Sequence, residues 1–99
     1  DLPLDSPIVD KKNNFIRFFI VHECAEQVSV CGSFNNWTRD ILLMEPTVNG
    51  GWFLDIPMLA EGTYAYKFFV DQSFWVEDVL NPFRVADGFN GFNSILTIK

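Results

Sequence analysis

Short runs rich in aromatic and β-branched residues follow one another along this chain, separated by Gly, Asn, Pro and Asp. Polar and apolar side chains alternate within the runs, and no segment keeps helical periodicity for more than one turn. We predict strands at 15–21, 27–31, 41–44, 52–56, 64–70, 74–77 and 94–99. About seven short antiparallel strands with turn residues between them are typical of an all-β, immunoglobulin-like sandwich. A small closed barrel is the alternative architecture.

Length and charge limit the classes of partner that this chain can have. Its 99 residues fit a single domain, and 13 Asp and Glu against 7 Lys and Arg give a net charge of −6. Nucleic acids and anionic membranes both attract basic patches, so neither is an expected partner. No apolar run approaches the roughly 20 residues that span a bilayer. Residues 1–14 are polar and interrupted by two prolines, which predicts an N-terminal arm or linker ahead of a domain at 15–99.

Residues capable of catalysis or metal binding are few and badly spaced. We predict Cys24 and Cys31 to be buried free thiols, with pairing across a turn as the alternative, and free thiols favour a cytoplasmic location. His22 and Cys24 alone make too small a ligand set for a metal site. Glu77 and Asp78 are adjacent, so on a strand they would point to opposite faces and could not form a glycosidase pair. No catalytic residue, metal ligand or cofactor is therefore predicted.

The most regular predicted strand separates its side chains into two faces, because successive residues of a strand alternate. One face is bulky and apolar and is predicted to join the core, through Tyr64, Tyr66, Phe68 and Val70. The opposite face carries Lys67 and Phe69. A lysine on the same face as an aromatic residue is less like ordinary solvent-facing surface, so this face is a candidate binding surface.

Two of the tryptophans lie in polar, turn-forming segments. Trp37 follows a run of small polar residues at 32–36, and Trp75 lies within the polar segment 71–78, whereas Trp52 alternates with aliphatic residues and is predicted to be core. Indole rings cover the C–H surface of a sugar, while lysine and asparagine side chains bond to its hydroxyls. Two displayed indoles and a lysine therefore suit a sugar chain. The alternative is that Trp37 and Trp75 close the ends of the sandwich as part of the core.

Several stretches together carry a family resemblance. They are GSFNNW at 32–37, GW at 51–52, EGTYAYKFFVD at 61–71, WVED at 75–78 with Pro82 after it, and NSIL at 93–96. The chain resembles, from about Phe15 to Lys99, the family 48 carbohydrate-binding modules, also called glycogen-binding domains. Such domains occur in the β subunit of AMP-activated protein kinase and at the N-termini of branching and debranching enzymes. The resemblance implies an early-set immunoglobulin-like sandwich without catalytic activity of its own.

The resemblance also implies a ligand and the residues that bind it. The ligand is an α-1,4-glucan such as glycogen, starch or a maltooligosaccharide. Trp37 and Trp75 correspond to the tryptophans that stack on the glucan as a platform, and Lys67 and Asn93 to residues that hydrogen-bond its hydroxyls. Phe89 stands where kinase-type modules place a leucine that threads through the curved chain. The implied protein partner is a catalytic domain in the same or a partner chain.

One departure from the family pattern bears on the site, and one alternative function stays open. Gln72 replaces the glycine of the family's Val-Asp-Gly turn, and the loop before Trp75 is one residue longer, so the direction of Trp75 is expected to change. The alternative function is that of a protein-interaction or scaffold domain that supports a glycan-active enzyme or kinase complex without binding sugar. Phe69 and the acidic surface would serve such an interaction.

Overall fold

The computed structural model describes residues 5–99, which form ten strands and a single 3-10 turn. The strands are β1 (Ile8–Asp10), β2 (Phe15–Val21), β3 (Val28–Gly32), β4 (Leu42–Leu43), β5 (Glu45–Pro46), β6 (Gly51–Pro57), β7 (Gly62–Val70), β8 (Phe74–Val76), β9 (Arg84–Ala86) and β10 (Phe92–Ile98). The 3-10 turn, Ser33–Asn35, follows β3 directly.

The strands form two antiparallel sheets that share one core. The first has the order β1-β2-β6-β5, and the second has the order β4-β3-β7-β10-β9, with β8 paired to β7 as well. The core cluster draws on both sheets, from Ile16 and Phe18 of β2 to Tyr66 and Phe68 of β7. The prediction of an immunoglobulin-like β-sandwich is confirmed, and the closed-barrel alternative is wrong because the chain forms two separate sheets.

All seven predicted strands are present, and β1, β5 and β9 are additional. β1 lies in the segment that the sequence analysis assigned to an arm, yet it pairs with β2 through Ile8 opposite Arg17 and Asp10 opposite Phe15. At these three residues the segment is therefore an edge strand of the first sheet. Residues 1–4 of that segment lie outside the described residues, and the division of the chain at residue 14 stays a prediction.

The core confirms most of the side-chain assignments on β7. Tyr66, Phe68 and Val70 are fully buried, whereas Tyr64 is half-buried and packs edge-on against Phe34 with 6.2 Å between ring centroids. Trp52 is buried as predicted, and its Nε1 donates to the His22 carbonyl at 3.1 Å. An indole that buries its ring and satisfies its N–H in this way contributes to the core alone.

The two cysteines differ from the prediction in part. Both are free thiols, but Cys24 is exposed, and only Cys31 is buried. Cys24 lies in the loop between β2 and β3, where no neighbouring strand covers it, while Cys31 lies inside β3 opposite Lys67 of β7. Burial raises the pKa of the Cys31 thiol above its ordinary value.

A buried carboxylate ties the loop after β8 to the core. Asp78 accepts hydrogen bonds from the Tyr66 hydroxyl at 2.6 Å and from the Ser6 hydroxyl, and its own N–H donates to Ser94 Oγ at 2.9 Å. Burial is the main cause that raises the pKa of Asp78, and these hydrogen bonds oppose the increase. This residue of the WVED motif therefore has a structural role.

Candidate functional site

The centre of the site is the point at which β7 changes its neighbour. The pairing of β7 with β10 ends at Tyr66 opposite Ser94, and its pairing with β8 begins at Phe68 opposite Val76. Lys67 lies between the two pairings and faces outward, away from the core. The sheet is therefore interrupted on one side of Lys67, and the residues that flank this interruption surround its side chain.

The loop after β3 brings Trp37 to the same face. Asn36 and Trp37 follow the 3-10 turn at φ values of 56° and 57°, and the Trp37 N–H donates to the Gly32 carbonyl at 2.8 Å. Asn35 closes the loop from within, because its Oδ1 accepts from the Gly32 N–H at 3.0 Å. Two successive left-handed residues turn the chain sharply, and they leave the indole half-buried beside β7.

Trp75 reaches the site through β8. It lies opposite Phe69 on the outer face, with ring centroids 4.6 Å apart, and keeps 45% of its surface exposed. The turn before β8 places both Asp71 and Gln72 at positive φ, 52° and 56°. Gln72 thus adopts the conformation for which glycine is best suited. The replacement of glycine does not remove Trp75 from the site, because the pairing of β8 with β7 fixes its position.

The two indoles do not form a flat platform. Their ring centroids are 6.4 Å apart and their planes meet at 71°, an edge-to-face arrangement. Phe69 lies beneath Trp75 and is almost fully buried, with the Arg39 guanidinium 5.5 Å from the centre of its ring. The two indoles therefore form a V-shaped aromatic wall above the buried Phe69 ring.

All five predicted site residues line one open depression of about 610 Å³ on the outer face of the second sheet. They are Trp37, Lys67, Trp75, Phe89 and Asn93, and Asp87 is the sixth lining residue. Phe89 lies at the tip of the loop between β9 and β10 and is 88% exposed. A concave surface with aromatic walls and a few converging polar groups is the usual form of a ligand site.

Of these six lining residues, Asp87 is the one that was not predicted from the sequence. Its Oδ2 lies 2.5 Å from Lys67 Nζ, and its Oδ1 accepts from the N–H groups of Phe89 and Gly91 at 2.6 and 3.1 Å. The Lys67 ammonium is the main cause that holds the pKa of Asp87 below its ordinary value. The Asp-Gly pair at 87–88 signals a turn in the sequence. The ion pair could not be predicted, because it depends on how β7 and β10 are aligned.

The described residues offer little else for chemistry. Residues 5–99 contain no group of three or more His, Cys, Asp or Glu side chains placed to hold a metal ion. In the same part of the chain, no helix is long and apolar enough to cross a membrane. An antiparallel sandwich that presents two indoles, a lysine and an amide in one open depression has the form of a sugar-binding module.

Comparison with known proteins specifies the family. A sequence model described as the glycogen recognition site of AMP-activated protein kinase matches residues 12–99. The chain is 36% identical over 77 residues to the mouse (Mus musculus) 5′-AMP-activated protein kinase subunit β-2, an alignment that covers 78% of this chain and 27% of that subunit. The human (Homo sapiens) subunit β-1 is 36% identical over 74 residues, which is 75% of this chain and 25% of that subunit.

The chain belongs to this family of glycogen recognition domains, since the family model covers nearly all of it. The predicted resemblance is confirmed, and with it the class of non-catalytic carbohydrate-binding modules. The chain spans about a quarter of the length of the curated relatives that it matches.

Proposed function

We propose that the depression around Lys67 binds α-1,4-glucans such as glycogen, starch and maltooligosaccharides. The observation that carries the proposal is the convergence of Trp37, Trp75, Lys67, Asn93 and Phe89 on one open surface. The indole faces would cover the C–H surfaces of successive glucose rings. The Lys67 ammonium has three N–H donors and gives one to Asp87, so donors remain for sugar hydroxyls. The Asn93 side-chain amide would both donate hydrogen bonds to sugar hydroxyls and accept hydrogen bonds from them.

The steep angle between the indoles favours a curved ligand over a flat one. Successive glucose units of an α-1,4-glucan turn relative to each other, so the faces that they present are not parallel. Two indole planes that meet at 71° match such a chain better than they match the flat ribbon of a β-1,4-glucan. The proposal therefore includes discrimination between maltooligosaccharides and cellooligosaccharides of equal length.

The openness of the site sets the expected strength of binding. A ligand on such a surface stays partly hydrated and gains a few hydrogen bonds of about 1 kcal/mol each. We expect dissociation constants on the order of 10 μM to 1 mM for maltoheptaose, or about 4–7 kcal/mol of binding free energy.

Calorimetric titration with maltoheptaose tests the proposal, with a cellooligosaccharide as the ligand control. Trp37→Ala should abolish measurable binding, because it removes one wall of the depression. Phe74→Ala is the matched control variant: Phe74 is an aromatic residue next to Trp75 and 64% exposed, but it does not line the depression. It should bind as the wild type does. No heat from a folded wild type at about 10 mM maltoheptaose would contradict glucan binding.

A second candidate function, docking on a catalytic domain or subunit, is favoured by a separate apolar groove. This groove of about 520 Å³ lies between the segment before β2, the loop after β8 and β10, and it shares no lining residue with the glucan depression. Leu80, Phe83 and Ile95 are among its lining residues, and Phe83 is 70% exposed. Phe83→Ser should then weaken association with the catalytic part and leave maltoheptaose affinity unchanged.

Cellular location belongs with these proposals. We propose that the domain works in the cytoplasm, and the free thiols of Cys24 and Cys31 support this location because reducing compartments preserve them. A fluorescent fusion of the parent protein, followed together with glycogen particles, would test location and ligand at once.

A further inference from the structure

The loop between β9 and β10 depends on one carboxylate that accepts bonds on both oxygens and is almost buried. Asp87 Oδ2 is taken by Lys67 Nζ, Oδ1 is taken by two backbone N–H groups, and the side chain keeps only 9% of its surface exposed. Oδ2 keeps a second lone pair beside the Lys67 bond, but a side chain with 9% of its surface exposed offers a sugar hydroxyl little access to it. Asp87 is therefore badly placed to be a ligand-contacting residue, although it lines the depression.

We propose that Asp87 is a positioning residue of the glucan site, which acts through Lys67 on one side and through Phe89 on the other. The inference rests on the proposed function and extends it to a residue that touches no sugar. Lysine has a long flexible stem and a compact charge, so an unpaired Lys67 would sample many positions. The ion pair restricts its ammonium within the depression that Asn93 and the indoles also line, where the Lys67 side chain is 15% exposed.

The same carboxylate shapes the loop that carries Phe89. The Asp87 N–H donates to the Gly91 carbonyl at 3.0 Å, while Oδ1 accepts from the N–H groups of Phe89 and Gly91. Aspartate often stabilises a turn by bonding to the N–H two residues later in this way. Phe89 itself is 88% exposed and has little packing to hold it, so the bonds to Asp87 set the position of its backbone.

Gly91 provides the space that this arrangement needs. A Cβ atom at position 91 would lie 2.9 Å from Asp87 Oδ2 and 3.7 Å from Lys67 Nζ. Any larger residue there would press on the oxygen that binds the lysine. The small residue, the carboxylate and the lysine thus form one unit, although they come from the β9–β10 loop and from β7.

Asp87→Asn separates the two actions of the carboxylate, because asparagine keeps an oxygen for the loop N–H groups but carries no charge for Lys67. Maltoheptaose affinity is measured by calorimetry for Asp87→Asn, Asp87→Ala, Lys67→Met and the double variant of Asp87→Asn with Lys67→Met. Asp55→Asn is the matched control, since Asp55 pairs with Arg17 on the other sheet, outside the depression. Amide resonances of Phe89 and Gly91 report whether the loop is intact.

We expect Asp87→Asn to weaken binding about 5-fold with the two amide resonances nearly unchanged, and Asp87→Ala to weaken it further with both resonances shifted. In the Lys67→Met background, Asp87→Asn should change the affinity less than about 2-fold, since the residue through which it acts is gone. Asp55→Asn should bind as the wild type does. A purely structural Asp87 would lower stability without this dependence on Lys67.

The outcomes that overturn the inference differ from those that overturn glucan binding. A wild type that binds maltoheptaose, together with an Asp87→Asn variant that binds equally well, overturns the positioning role alone. Effects of Asp87→Asn and Lys67→Met that simply add in the double variant overturn it as well. A folded wild type that binds no maltoheptaose overturns both proposals. If Asp87→Ala does not fold, the Asp87→Asn variant and the double variant still decide the question.

Discussion

Gly32, the first residue of the GSFNNW motif, lies where the sheet leaves no room for a side chain. Its φ and ψ of −162° and 178° are extended, a conformation that any residue adopts, so a substitution there acts through space alone. A Cβ atom would lie 2.5 Å from Cε2 of Phe34 and 2.7 Å from the carbonyl oxygen of Ala65. The Phe34 ring could rotate, but the carbonyl belongs to the backbone of β7 and cannot move away without disturbing the strand.

The expected cost of Gly32→Ala follows from these contacts. Overpacking a tight interior destabilises by about 1–3 kcal/mol, and the reduced freedom of the unfolded chain returns about 0.4–1 kcal/mol. Moving Phe34 would also disturb its contacts with Phe18 and Tyr64, at 6.0 and 6.2 Å between ring centroids. We therefore expect a net loss of about 1–2 kcal/mol, which lowers the melting temperature of a domain this small by roughly 5–15 °C.

Urea denaturation followed by fluorescence measures the loss, and maltoheptaose calorimetry measures the effect on the site. The Gly32 carbonyl accepts the Trp37 N–H at 2.8 Å, so a displaced Gly32 should move the indole and weaken binding about 3-fold to 10-fold. Gly88→Ala separates strain from crowding, because its added Cβ meets nothing within 4 Å and any loss of stability comes from the positive φ of 85° alone. Unchanged stability in Gly32→Ala would refute the steric argument.

Two further predictions concern the turn and the buried carboxylate. Gln72→Gly should raise the free energy of unfolding by about 0.5–1 kcal/mol, since glycine adopts a φ of 56° without strain; urea denaturation tests this, and a loss of stability would contradict it. Asp78→Asn should lower the free energy of unfolding by about 2 kcal/mol, because an amide nitrogen would replace a carboxylate oxygen that accepts hydrogen bonds. The pKa of Asp78 in the folded state is raised above 3.8, so the folded state binds this proton more tightly than the unfolded state does. Protonation of Asp78 therefore stabilises the wild-type fold at low pH. The wild type loses that stabilisation as the pH rises through the folded-state pKa. The deficit of Asp78→Asn should therefore be larger near about pH 4 than about pH 7, and a deficit that grows with pH would contradict the raised pKa.

The sequence predicts those parts of the fold that alternate strictly in polarity. The alternation along β7 places Tyr66, Phe68 and Val70 in the core, and the same reasoning places Trp52 there. These assignments need only the local sequence, because a strand with one buried face buries every second side chain. The short strands β1, β5 and β9 have two or three residues each, too few to show a period, and only their partners make them strands.

The site was predictable in its members but not in its geometry. The five lining residues follow from the family resemblance, while the 71° angle between the indoles depends on positive φ at Asn36 and Trp37 and on the pairing of β8. The ion pair of Asp87 with Lys67 could not be predicted either, because the two residues are 20 positions apart and no local sequence pattern connects them. The burial of Cys24 was also predicted incorrectly. Cysteine is buried on average, but that average does not determine whether the loop that carries Cys24 is covered, and Cys24 is exposed.

The change of pairing partner along β7 explains why this part of the sheet surface forms a depression that can serve as a binding site. Phe69 on the outer face would be exposed on a regular sheet, but Trp75 packs over it from β8 and leaves it almost fully buried. The indole that would stack on sugar is thus held by a small aromatic cluster before any ligand arrives, so little rotational freedom is left to lose on binding. Phe89 lacks such packing, and its backbone is held by Asp87 instead. The depression therefore combines a preformed aromatic wall with a loop whose backbone is bonded to one ion-paired carboxylate, so we expect a substitution of Asp87 to loosen the site without unfolding the domain.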